Sequence, residues 1–161
     1  MDLRDSCISK LNADYVHIDG LLDISGLLPH PEGPQGAGSV GQRLCHVCLR
    51  GAHVEDGLEA ARAHLSGPPR RPNYVRYSQR ANYALDLADA HVNGDVRLFP
   101  DFTASGGINI NGAIVNGSFQ AHGAHIHKEE MFAFDATGAR IHGTLALDAR
   151  KVSRDERIAG Q

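Results

Sequence analysis

Apolar and polar residues alternate along much of the chain, and the alternation changes phase at short intervals. In residues 106–127 (GGININGAIVNGSFQAHGAHIH), Ile108 and Ile110 share one phase, and a run that begins at Ala113 takes the other. A period of two predicts strands with one buried face, because successive side chains of a strand point to opposite faces. Since no turn of hairpin length separates the two phases, the change predicts a corner where the strand bends around the same interior.

The pattern recurs as an internal repeat. Its template is Ala-x-Val-x-Gly-x-Val-x-Leu, preceded by a short apolar-x-apolar pair, and its clearest copy is AHVNGDVRL at 90–98. Five copies follow one another at spacings of 36, 38, 23 and 26 residues, and their first residues are Val16, Ala52, Ala90, Ala113 and Ala139. In the second copy Asp56 replaces the glycine of the template. The two short spacings indicate the length of a bare coil, and the two long ones contain inserted residues.

Coils of this length, with glycine at the corners and apolar side chains inside, favour a parallel β-helix whose coils stack about 4.8 Å apart. An antiparallel sandwich built from the same short strands is the alternative. We therefore predict an all-β chain that forms a parallel β-helix solenoid of about five coils, as a single domain over residues 1–161.

Two inserted loops, 26–43 and 62–80, fall in the same part of the repeat and are predicted to leave the solenoid along one edge. The second insert begins within the stretch EAARAHL (59–65), which is expected to start it as a short helix. Loops on one edge of a repeat protein are where recognition is usually found. The tail 148–161 loses the repeat and becomes charged, which predicts a C-terminal cap, whereas the N-terminus already has the sequence of a coil.

Composition changes this prediction little. The formal net charge of -3 and the pI near 6.3 give no general attraction to nucleic acid or to an anionic membrane. No apolar run approaches the ~18 residues of a membrane span, and no targeting signal is visible. The expected location is the cytoplasm. Three cysteines are too few for a disulfide scaffold.

The stretch LADAHVNGDVRLFPDFTASGGININGAIVNG (87–117) resembles the repeats of a family common in actinobacteria and often labelled membrane-associated oxidoreductase. Residues 82–147 match that repeat well, 2–25 match it loosely and 44–60 match it in outline. The resemblance implies a right-handed, pentapeptide-like β-helix, and it supplies no catalytic motif. The chain is also similar, less closely, to bactofilins, which are small β-helical polymers, through VNGDV and VNGSF.

Two short motifs have spacings that occur in cofactor sites. GAGSVG (36–41) has the G-x-G-x-x-G spacing of a dinucleotide site, but that site needs a strand before it and a helix after it, and neither is predicted here. Cys45 and Cys48 form a C-x-x-C pair, and the repeat places the two side chains on opposite faces, which disfavours chelation or redox pairing. No cofactor is predicted.

Histidines and acids cluster on the predicted outer surface. The residues after the first inward position form the column His17, His53, His91, Ile114 and Arg140, and the next outward column is Asp19, Glu55, Asn93, Asn116 and His142. Three imidazoles beside two carboxylates, Asp19 and Glu55, can bind a divalent metal or act as general acid and base. The alternative is an ordinary polar ladder that favours solubility and strand pairing.

The second insert concentrates arginine and tyrosine. Its candidate partner-binding residues are Arg70, Arg71, Tyr74, Arg76, Tyr77 and Arg80. Arginine and tyrosine are enriched in protein interfaces and can also bind nucleic acid, but the negative net charge disfavours nucleic acid. A solvated loop that folds back over the coils is the simpler alternative.

Together these features predict a non-enzymatic β-helical scaffold or interaction protein that binds a protein partner. Stacked coils leave open backbone groups at each end, so self-association is expected. Because the charged tail would block one end, a dimer through the N-terminal coil is favoured. The alternative is a metal-binding protein, or an enzyme, that uses the histidine and carboxylate ladder.

Overall fold

A computed structural model of the chain describes residues 1–8, 10–29, 45–67, 83–127 and 133–147. These residues form short strands and turns and contain no helix. A strand β1 (Cys7–Ile8) precedes the first coil, which contains β2 (Lys10–Asn12), β3 (His17–Ile18), β4 (Leu21–Asp23) and β5 (Leu28–Pro29). The second coil contains β6 (His46–Cys48), β7 (His53–Val54), β8 (Gly57–Glu59) and β9 (His64–Ser66).

The remaining strands repeat this order. The third coil contains β10 (Leu85–Asp86), β11 (His91–Val92), β12 (Asp95–Arg97) and β13 (Thr103–Ser105). The fourth contains β14 (Ile108–Asn109), β15 (Ile114–Val115), β16 (Phe119–Gln120) and β17 (His125–His127). The fifth contains β18 (Phe134–Asp135), β19 (Arg140–Ile141) and β20 (Leu145–Ala146).

Each strand pairs with its equivalent one coil away, which builds four sides. Side one has the order β18-β14-β10-β6-β2, side two β19-β15-β11-β7-β3 and side three β20-β16-β12-β8-β4. Side four consists of β17-β13-β9 and of the pair β1-β5. The strand pairs are parallel throughout, so the predicted parallel β-helix of five coils is confirmed and the antiparallel sandwich is excluded.

The interior is a stack of apolar side chains with one contribution from each coil. On side two Ile18, Val54, Val92 and Val115 lie above one another and are buried. Aromatic rings fill the upper coils, which are those nearer the C-terminus. Phe119 and Phe134 meet there edge to face, with their centroids 5.4 Å apart. The alternation found in the sequence therefore separates this core from the outer surface.

The nine-residue template of the repeat contains two strands. It bends at the template glycine, and side two lies before the bend and side three after it. A Cβ atom on Gly94 would overlap the carbonyl oxygen of Asp56 in the coil below, and Gly117 approaches the backbone of Gly94 in the same way. Glycine is required at positions 94 and 117 because successive coils approach backbone to backbone there. In the second coil Asp56 occupies this corner, and Gly57, which has positive φ, follows it.

Two further corners place one residue per coil in the left-handed backbone region. At the corner before side two, the residues with positive φ are Tyr15, Gly51, Asp89, Gly112 and Gly138. At the corner before side four, they are Asp5, Gly26, Arg62, Asp101 and Gly123. Several of these positions are occupied by residues other than glycine, so glycine alone does not identify these corners in the sequence.

The strands of side four show that the predicted inserts begin too early in the chain. Both inserts begin with coil residues, since β5 lies within 26–43 and β9 within 62–80. The helix suggested at 59–65 is wrong, because these residues end β8, turn at Arg62 and begin β9. Apolar residues at this side, such as Leu65, are buried in the core. The rest of both inserts and the charged tail 148–161 lie outside the described residues.

Residues 1–8 form half of an additional coil below the first. The amide of Leu3 donates to Asp23 O at 2.8 Å, the amide of Asp5 donates to Ser25 O at 2.8 Å, and β1 pairs with β5. This half coil covers sides three and four. Within the part of the chain that the structure describes, β2 and β3 are therefore the outermost strands of sides one and two.

Candidate functional site

The histidine column lies on the outer surface of side two, where each strand contributes one inward and one outward residue. His17 pairs in register with His53, and His53 with His91, while the residue after each histidine points into the core. The inward apolar residues fix the strands, so the outward imidazoles are carried on a regular backbone. His17 is more exposed than His53, with 53% and 32% of the side-chain surface accessible.

The three imidazoles form a row whose spacing is that of the coils. The rings of His17 and His53 are stacked, with centroids 4.8 Å apart and planes at 9°. The ring of His91 is also 4.8 Å from that of His53, but the two planes meet at 66°. The Nε2 atom of His91 lies 3.2 Å from the side-chain nitrogen of Asn116. The row thus divides into a parallel pair and a third ring that is turned away.

Two carboxylates lie beside the parallel pair. Glu55 Oε1 is 3.0 Å from His53 Nε2 and 3.5 Å from His17 Nε2. Asp19 Oδ1 is 2.9 Å from the same nitrogen of His17. One oxygen of Glu55 is therefore shared between the facing nitrogens of two histidines from neighbouring coils.

Asn93, in the coil above, holds the second oxygen of Glu55. Its side-chain nitrogen donates to Glu55 Oε2 at 2.6 Å, and its own side-chain oxygen accepts from Asn116 at 2.9 Å. The hydrogen bond from Asn93 is the largest cause that lowers the pKa of Glu55, and the neighbouring His53 and His17 act in the same direction. Glu55 is thus a carboxylate of fixed orientation. Sequence reasoning placed Asn93 in the outward column but did not identify it as a site residue.

His17, His53 and Glu55 are the one group of potential metal ligands that the described residues bring together. Their three ligand atoms lie within 4.8 Å of one another. His91 belongs to the same row but faces an amide, and Asp19 reaches the group from its exposed end through His17. The predicted ladder of three histidines and two acids is therefore a compact group of four side chains together with one histidine that is separate.

The thiols do not form a second centre. Cys45 is buried in the core beside Val47, and Cys48 is half-buried on the other face of the same strand. Burial raises the pKa of Cys45 to about 11, and burial together with a hydrogen bond involving Asp14 raises the pKa of Cys48 to about 12. Both thiols are thus held protonated, whereas metal ligation and redox exchange need the thiolate.

Two further stretches singled out in the sequence, the rejected dinucleotide motif and the predicted partner-binding loop, fall outside the described structure. GAGSVG (36–41) and the arginine and tyrosine residues Arg70, Arg71, Tyr74, Arg76, Tyr77 and Arg80 lie outside the described residues. The arginine that side three does present is Arg97, which is neutralised by Glu59 and Asp95 at 2.9 Å each.

No family model, curated protein or solved structure matches this chain. Among the residues that the structure describes, there is no helix with the length and hydropathy needed to span a membrane. The family resemblance stays a prediction, so the function is inferred from the geometry of the coils and of the histidine row.

Proposed function

We propose that the protein is a non-enzymatic β-helical scaffold that forms a dimer through its N-terminal end. The observation that carries this proposal is the half coil at residues 1–8, which covers sides three and four and leaves β2 and β3 at the edge of the described structure. A strand at the edge of a sheet presents unpaired N–H and C=O groups, which form a template for another chain.

Apolar residues accompany this open edge. Tyr15 is 82% exposed and Val16 is 39% exposed, and Val16 begins the inward column whose next members, Ala52 and Ala90, are buried. The inward position that is buried in the second and third coils is therefore partly exposed in the first coil, at Val16. A second copy offers the same edge and the same apolar residues, so a two-fold arrangement covers both sets at once and closes the assembly.

The experiment that tests this proposal measures molar mass by light scattering after size-exclusion chromatography of the full chain. We expect a dimer, and we expect Val16→Lys to give a monomer because the two-fold axis brings two buried lysines together. Leu147→Lys is the matched control, since Leu147 is similarly exposed at the other end of the solenoid, at 44%. A monomeric wild-type protein, or the same mass for both variants, would contradict the proposal.

A further inference from the structure

We propose that His17, His53 and Glu55, together with Asp19, bind one divalent transition-metal ion, with zinc as the best fit. This site lies on the outer surface of side two and does not depend on the scaffold role or on the dimer. The proposal thus assigns a specific bound ion, zinc, to this outer surface.

The distances match what a small cation requires. Zinc binds histidine nitrogen and carboxylate oxygen at about 2.0–2.2 Å, so the ligand atoms of a tetrahedral site lie roughly 3.3 Å apart. Glu55 Oε1 is already 3.0 Å from His53 Nε2 and 3.5 Å from His17 Nε2. An ion between these three atoms replaces the shared hydrogen bonds by coordination bonds, and small side-chain rotations complete the geometry.

Asp19 provides the fourth ligand. Its Oδ1 atom lies 2.9 Å from His17 Nε2, and its side chain is 92% exposed and free to turn toward the group. Two carboxylates and two neutral imidazoles balance the charge of a divalent ion. Nitrogen ligands favour zinc, nickel, copper or cobalt over magnesium and calcium, which prefer a shell of oxygen atoms.

The coil above orients the site. Asn93 donates to Glu55 Oε2 at 2.6 Å and thereby directs Oε1 toward the two histidines, and Asn116 in the next coil holds Asn93 at 2.9 Å. Residues that orient a ligand in this way commonly contribute 10–100-fold to metal affinity. The described side chains thus provide both the ligands and their support.

The neighbouring charged clusters differ from this site in kind. Around Arg97 the carboxylates of Glu59 and Asp95 each accept a hydrogen bond from the guanidinium, which offsets one of their two negative charges and occupies one oxygen of each. On side four, His125 and His127 are exposed, and the residues paired with them are Thr103 and Ser105. Neither cluster combines two histidines with a carboxylate.

The experiment titrates zinc alone into the full-length protein, which is prepared without a histidine tag and freed of metal with a chelator. Isothermal titration calorimetry should give one zinc ion per chain, and cobalt should give visible absorption bands of a tetrahedral ion. His53→Ala and Glu55→Gln should each lower the affinity by at least about 100-fold, and Asn93→Ala should lower it by about 10-fold. His125→Ala and Cys48→Ser, the matched histidine and thiol controls, should bind zinc as the wild-type protein does.

Two outcomes of this titration would overturn the proposed site. Absence of saturable zinc binding in the wild-type protein would overturn the site, and so would equal affinity in Glu55→Gln, which keeps the size of the side chain and its support of the fold. The dimer is tested separately, because monomeric Val16→Lys should still bind one zinc ion. Loss of binding in Val16→Lys with an unchanged circular dichroism spectrum would overturn a site formed within one chain, because the ion would then need the second copy.

Discussion

On side two, the lower coils carry His17, His53 and Glu55, whereas the upper coils carry Ile114 and Arg140 in the same columns. The backbone is the same in both halves, since parallel pairing in register continues from β7 through β11 and β15 to β19. The inward residues are apolar in both halves as well. The fold therefore requires the apolar face but leaves the outward residue open, and the metal ligands proposed for the lower coils are a property of this sequence and not of the solenoid.

Successive coils approach each other closely at the template glycine, and Gly94→Ala should disrupt this approach. The added Cβ meets the carbonyl oxygen of Asp56, which is backbone and cannot turn aside. We expect a loss of about 3 kcal/mol in the free energy of unfolding, as for an overpacked core, measured by urea denaturation.

Gly123→Ala is the control for that prediction. Gly123 has positive φ, at 70°, which Gly94 lacks, and no described atom lies within 4 Å of the position of its Cβ. Only the strain of the left-handed backbone remains, which costs about 1 kcal/mol. A loss in Gly94→Ala no larger than the loss in Gly123→Ala would contradict the prediction that contact between coils is the larger cost.

The upper half should acquire the chemistry of the lower half when its outward residues are exchanged. Ile114→His combined with Asn116→Glu places a second histidine and a carboxylate beside His91, in the same register as the lower site. Calorimetry should then show two zinc ions per chain instead of one. Ile114→His alone lacks the carboxylate and should leave the number at one; a second ion with this single change would show that the acid is not required.

A smaller difference between lower and upper coils lies on side one. Asp86 and Asn109 stack in one column, both are buried, and each accepts a hydrogen bond from the amide two residues later. Burial raises the pKa of Asp86, so the folded state favours its protonated form. The stabilising contribution of that proton is complete below the unfolded pKa of about 3.9 and is lost as pH rises through the higher folded pKa.

Asp86→Asn should therefore raise the free energy of unfolding at pH 7, because it removes a buried negative charge. The gain should shrink as the pH falls toward 3, because the protonated aspartic acid and the asparagine are then both neutral. Thermal unfolding across this range measures the difference, with exposed Asp101→Asn as the control. A gain that persists at pH 3 would rule out burial of charge as its cause.

The period-two pattern was sufficient to predict the coils and the residues that share a column. It worked because an inward residue such as Val54 or Val92 has few alternatives in a packed interior. Side four was missed where Arg62 occupies a left-handed corner without glycine, and where Pro- and Gly-rich residues follow the strand directly.

The contacts of the site were less predictable than its columns. Sequence alone gives the outward position of His91 and Asn93, but the direction of an exposed side chain depends on its rotamer and hydrogen bonds. The turn of the His91 ring toward Asn116 and the reach of Asn93 to Glu55 are of this kind. The family resemblance was no help at this level, because it supplies a fold and no ligand set.

The pairing of every coil with its immediate neighbours has a consequence for how the protein is made. Strand pairs join residues such as His91 and Ile114 that are 23 positions apart, and no described pair links coils at a distance. When a ribosome releases the chain, each new coil finds its docking surface already assembled from residues translated shortly before. The coils can then fold in the order in which they are synthesised. Each coil needs only the next coil for its remaining strand pairs, and not the distant end of the chain.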